Sequence, residues 1–206
     1  MKTFFTPDSK IRQVHFIRNA GGSSRPDRFT AFYPFFAILA ILFFINLPLS
    51  ASDIETYYGP SDRLAERVIN LYDQAEKTIY IACFNITYRP IVKALVRAKR
   101  RGVDVRVITD HGQTENNNTH RAVSSLLEAG IPVKINRHDG LMHIKQAVID
   151  GRVNTSGSFN QTWSANKIND ERLDIIQDPE NSKKAREKFL SMWKDSERFG
   201  DLAPGF

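Results

Sequence analysis

The chain has 206 residues with a formal net charge of +6, long enough for one domain with a sizeable core plus an appendage. The charge is uneven: residues 1–52 carry six Lys/Arg against Asp8 and Asp27, while residues 53–206 hold 23 basic and 21 acidic residues, a net of +2. Global charge therefore does not single out nucleic acid as a partner, and the lone Cys83 excludes an internal disulfide or a structural zinc site.

The first apolar feature is Phe35 to Ile45, eleven uninterrupted apolar residues behind a basic lead and ahead of Pro48-Leu49-Ser50-Ala51-Ser52. Its length fits a secretory signal peptide with cleavage after Ala51. Extended from Phe29 to Leu49 it fits an uncleaved membrane anchor, and an organelle-targeting leader is a third option. On the first two readings the basic side stays cytoplasmic and residues 53–206 are exported, to the periplasm or the medium. The expected organisation is a basic leader over 1–52 and a single domain over 53–206.

From Ile54 the pattern alternates. Ile54–Tyr58 reads as a short strand, and Ser61 as the cap of a helix to about Ala75 with Leu64, Val68, Leu71 and Tyr72 on one face. Lys77–Phe84 is an apolar strand that places Cys83 in a packing role. Arg89-Pro90 opens a helix that Gly102 ends, and Lys99-Arg100-Arg101 reads as its solvated C-terminus. Val103–Thr109 alternates as a strand. Asp110–Thr119 lacks periodicity and is expected to be a mobile surface loop, followed by a helix to Ala129 and a strand over Ile131–Asn136.

His143–Ile149 and Arg152–Thr155 are strands joined by Asp150-Gly151, a strong two-residue hairpin signal. Leu173–Ile176 is a last strand, and Pro179–Ser196 a closing helix. Helices alternating with strands, then a hairpin, predict an α/β sandwich in which helices flank a mixed β-sheet. The sequence shows no internal repeat and no glycine-rich phosphate loop.

The chemistry concentrates after residue 142. On a strand His143 and Lys145 would share a face, and Asp150, an odd number of positions away and in the turn, would support that turn or a neighbouring base. Gly157 would let the backbone approach a ligand, Ser158 and Asn160 can donate to phosphate oxygens, and Glu171 could orient an imidazole through its ring N–H. Taken singly, His138, His111 and His120 read as ordinary loop or helix-start residues.

The spacing His143-x-Lys145-x-x-x-x-Asp150, six residues, then Gly157-Ser158-x-Asn160, resembles the signature of the phospholipase D superfamily, with its downstream acidic residue at Glu171. The resemblance spans residues 53–206 and is nearest to the superfamily's small single-motif bacterial endonucleases. It implies a phospholipase D-like sandwich whose catalytic positions are His143, Lys145, Asp150 and Glu171, with phosphate bound by Lys145, Ser158 and Asn160. It further implies hydrolysis of a phosphodiester through a phosphohistidine on His143, with no cofactor and no metal. A second histidine is needed, and with one copy of the motif it would come from a homodimer with a composite site. The expected substrate is DNA or RNA, cleaved with little sequence preference. The alternatives are a phospholipase acting on phosphatidylcholine or cardiolipin, and a non-catalytic nucleic-acid- or membrane-binding module.

Overall fold

The computed structural model describes residues 52–203 and Gly205, all within one compact unit, Leu49–Phe206. The apolar run 35–45, and the signal-peptide or anchor reading placed on it, lie outside the described residues. Among those residues no helix is long and apolar enough to cross a membrane.

In chain order the elements are β1 (Asp53–Tyr58), α1 (Leu64–Gln74), β2 (Thr78–Cys83), α2 (Arg89–Arg100), β3 (Asp104–Thr109), α3 (His111–Thr114) and α4 (Asn117–Glu128). They continue with β4 (Val133–Asn136), β5 (Lys145–Ile149), β6 (Val153–Gly157), α5 (Trp163–Lys167), β7 (Arg172–Gln177), α6 (Pro179–Lys194) and β8 (Phe199–Asp201). The strands form one mixed sheet in the order β1-β7-β6-β5-β2-β3-β4-β8. Only β2–β3 and β3–β4 pair in parallel, because helical crossovers join them; the other pairs are antiparallel.

Strand alternation divides the core into two layers. Ile79, Ile81 and Cys83 of β2 face one layer with Leu64, Val68 and Tyr72 of α1, Leu95 of α2 and Leu126 of α4. Tyr80 and Ala82 face the other, where Phe189 and Met192 of α6 cover the sheet. The helix-flanked mixed sheet is the expected one, and Cys83 is buried as expected.

Four local expectations differ. Helix α1 starts at Leu64 with Arg63 in a left-handed conformation and no side-chain cap, because the Ser61 hydroxyl donates instead to the Tyr58 carbonyl (3.1 Å). Asp110–Thr119 is not a mobile loop. Polar contacts order it: Asn116 accepts the Asn118 N–H to cap α4 (2.9 Å), and the buried Thr119 hydroxyl donates to Asn85 Oδ1 (3.1 Å). Helix α5 and strand β8 were not expected; α5 is a single turn capped by Thr162, and β8 has three residues, both too short to show periodicity. Finally, β5 begins at Lys145, so His143 precedes the strand.

Candidate active site

The carboxyl ends of β2, β3 and β4 lie at one edge of the sheet, where β5 begins and β6 ends. Open α/β sheets bind ligands at such an edge. Phe84, the residue after β2, organises it. Its N–H donates to the Ile144 carbonyl (2.8 Å), extending the β2–β5 ladder by one bond past Lys145. Its ring lies 4.8 Å from the His143 imidazole, centroid to centroid, and 4.9 Å from Lys145 Nζ. His143 and Lys145 thus meet on one aromatic platform although only Lys145 belongs to the strand. His143 is exposed and Lys145 half-buried.

Lys145 Nζ donates to the His143 carbonyl (2.9 Å). Burial pulls its pKa below the usual lysine range, partly opposed by the buried Cys83 opposite it and by the Glu171 carboxylate. Burial also pushes the Cys83 thiol up to about 11, so the group beneath Lys145 is a neutral thiol near neutral pH.

Ser158 and Glu171 form a second pair. The Ser158 hydroxyl donates to Glu171 Oε2 and accepts the Arg172 N–H (3.0 Å), while Asn169 Nδ2 donates to Glu171 Oε1 (3.3 Å). Glu171 therefore does not meet the His143 ring in this chain. The Ser158 proton is directed at Glu171, where a phosphate contact had been expected. Gly157 has φ 140°, and a Cβ there would run into the Arg172 carbonyl; the close approach that demands glycine is to β7. Asn160 is half-buried, with its Oδ1 buried and unpartnered.

Asp150 stands apart from this group. It lies at the far end of β5, where its carboxylate accepts the N–H groups of Glu76 (2.9 Å), Lys77 (2.7 Å) and Thr78 (2.8 Å). Burial alone would raise its pKa, but the three donors outweigh that and hold it below the ordinary carboxylate range. With φ 53° at Asp150 and 65° at Gly151, the residue closes the hairpin and ties it to the start of β2. Its signature position is structural.

The family model described as "Cardiolipin synthase, PLD-like domain" matches residues 68–193. This chain belongs to the phospholipase D superfamily. It is 32% identical over 145 residues to a phospholipase D of Rickettsia conorii, covering 70% of each chain. It is 29% identical over 136 residues to a mitochondrial cardiolipin hydrolase of Chlamydomonas reinhardtii, covering 66% of this chain and 60% of that one. Among solved structures, the phospholipase D family member Nuc from Salmonella typhimurium superposes with a TM-score of 0.68 at 26% identity, over 74% of this chain and 99% of Nuc. The domain is accordingly a phospholipase D-superfamily phosphodiester hydrolase.

Three residues that position this phospholipase D-like site are not evident from the motif. Besides Phe84, the buried Asp110 accepts the Met142 N–H on Oδ2 (2.9 Å), directly before His143. Asn136 accepts the His111 N–H (2.8 Å) and donates to the Gly140 carbonyl (2.8 Å), so two strand-end side chains hold the segment that delivers His143. The available signal was a polar residue closing each of two apolar strands. Among the described residues no group of three or more His, Cys, Asp or Glu side chains could hold a metal ion.

Proposed function

We propose that the domain is an endonuclease of low sequence preference that works without a metal. The neutral His143 imidazole attacks phosphorus, the bond to the leaving oxygen breaks, and a phosphohistidine forms. A second histidine, His143 of another copy of this chain, protonates the leaving oxygen and then takes a proton from the water that releases the phosphate. Lys145 and Asn160 stabilise charge on the equatorial oxygens, the main demand in phosphoryl transfer. Glu171, held by Ser158, supplies the local negative charge that favours the Lys145 cation.

The reading requires a homodimer with one composite site on its two-fold axis, and places the domain outside the cytoplasm behind its N-terminal apolar segment. The observation that carries the substrate choice is an exposed His143 beside the half-buried Lys145, with an open groove holding Arg89 and Arg121 a few residues along the chain from their Phe84 platform. A phosphate polymer extends past the scissile bond and can use such a groove; a single lipid headgroup does not.

A second reading, phospholipid hydrolysis, is favoured by the relatives called phospholipase D and cardiolipin hydrolase and by the exposed Leu141 two residues before His143. Full-length protein and its His143→Ala variant, assayed in EDTA on plasmid DNA, RNA and phosphatidylcholine or cardiolipin vesicles, separate the two. The expected result is His143-dependent cleavage of nucleic acid in EDTA. Cleavage confined to lipid would replace the first reading with the second, and activity abolished by EDTA would overturn the metal-free mechanism.

A further inference from the structure

The chain contains two tryptophans that are used in opposite ways. Trp193 stacks on Phe189 (5.6 Å between centroids) and is flanked by the Arg106 and Lys134 cations. Trp163 is 56% exposed and stacks on no other ring among the described residues. The backbone that carries it is nevertheless anchored. Thr162 Oγ1 accepts the Ala165 N–H (3.2 Å) to cap its helix, and two residues before it Gln161 is bonded to the chain after β2. The Gln161 N–H donates to Asn85 O (3.1 Å), and its carbonyl accepts the Thr87 and Tyr88 N–H groups (3.0 and 2.9 Å). An exposed indole on an anchored turn offers a flat apolar face with a polar N–H edge.

Trp163 borders an open groove of about 760 Å³ between the start of α2 and the exposed side of α4. Tyr88, Arg89, Asn118, His120 and Arg121 also line it, and among the described residues Glu128 at the C-terminus of α4 is its one carboxylate. Arg97, Arg101, Arg106 and Arg172 are each paired with an aspartate, whereas Arg89 and Arg121 are exposed with no carboxylate in ion-pair range among the described residues. The groove begins three residues along the chain from the site: Phe84 carries His143 and Lys145, and Thr87 lines the groove.

We infer that this groove is a binding subsite for single-stranded nucleic acid, in which a base stacks on Trp163 and the flanking phosphates meet Arg89 and Arg121. The inference rests on the endonuclease reading and deepens it to a substrate class. A bare aromatic beside two unpaired cations matches the alternation of base and phosphate along a single strand. A duplex keeps its bases inside the helix, where Trp163 cannot reach their faces. An acyl chain would leave both guanidinium groups unanswered.

Full-length Trp163→Ala, Trp163→Phe and Arg121→Gln proteins test this, with oligothymidylate and bis(p-nitrophenyl) phosphate as substrates. Trp163→Ala should lower the ratio of kcat/KM for oligothymidylate to that for the small diester by about tenfold, mainly through KM, with Trp163→Phe restoring most of it. Arg121→Gln should reduce the slope of log KM for oligothymidylate against log salt. In a His143→Ala background, oligothymidylate should quench tryptophan emission, and Trp163→Phe should remove that signal.

An unchanged ratio and salt slope would overturn the inference. So would conversion of a dimer to a monomer by Trp163→Ala, which would give the indole to a subunit interface. Quenching by cardiolipin vesicles and not by oligothymidylate would give the groove to a membrane surface. If the protein cleaves no nucleic acid, the endonuclease reading fails by itself, and the quenching titration still decides what the groove binds.

Discussion

At the scale of single residues, the site depends on one cation whose charge is set by burial and on one hydroxyl that holds a nearby carboxylate. Burial lowers the Lys145 pKa, so its cation is lost at a lower pH than an ordinary lysine's. The alkaline limb of kcat/KM should therefore fall below the usual lysine range. It should move upward in Lys145→Arg, whatever activity that variant retains, because guanidinium stays charged. A pH–rate profile of both proteins checks this, and coincident alkaline limbs would remove Lys145 from the reaction. Ser158 makes a different demand. Its hydroxyl bridges Glu171 and the Arg172 N–H, so Ser158→Ala frees the carboxylate that helps keep Lys145 protonated. Loss of one exposed bond of this kind is worth about 1 kcal/mol, so kcat/KM should fall by about fivefold at most, and the alkaline limb should shift down with it. The candidate residues were legible because histidine, lysine and glutamate at fixed spacing are informative without coordinates. Their bonds were not. That Ser158 serves Glu171 depends on the register of β6 against β7, which pairs Gly157 with Leu173 and which no local pattern encodes.

At the scale of elements, the hairpin between β5 and β6 shows what strand reasoning can and cannot supply. Period-two alternation and Asp150-Gly151 located the turn, and the odd offset of Asp150 from Lys145 removed it from the reacting face. The three backbone N–H groups it accepts belong to the turn into β2 and that strand's first residue, more than seventy residues earlier in the chain, a contact only the folded sheet creates. The same limit hid the order within Asp110–Thr119, where side chains bond to loop residues distant in the chain and leave no apolar period. Asp150→Asn isolates the charge, since asparagine tolerates the left-handed conformation. Because the folded pKa of Asp150 is depressed, its contribution is present above the unfolded carboxyl pKa and is lost as pH falls through the folded one. The variant should be destabilised by about 2 kcal/mol near neutral pH. The difference from the parent should shrink as acid titrates the carboxylate. Denaturant unfolding at neutral and acid pH measures both, and a pH-independent deficit would contradict the linkage. Activity per folded molecule should survive, because Asp150 lies at the opposite end of β5 from His143.

At the scale of the whole molecule, the sheet brings one His143 and one Lys145 to its edge, and the motif has no second copy in the chain. One imidazole cannot be bonded to phosphorus and at the same moment give a proton to the leaving oxygen, so the proposed chemistry makes the dimer a condition of activity. The single copy is legible in the sequence alone, because counting copies of a motif needs no coordinates. Mixing experiments turn the argument into a measurement. When parent and His143→Ala chains are unfolded, mixed and refolded together, mixed dimers carry a single histidine at the shared site and should be inactive. Activity should then fall as the square of the parental fraction. Two independent sites, each complete in its own chain, would make activity fall in simple proportion to that fraction, and a linear plot would refute the composite site. Dilution supplies a second arm: specific activity of the parent should decline where sedimentation shows the dimer dissociating, since a dissociated chain retains the nucleophile but loses the group that protonates the leaving oxygen.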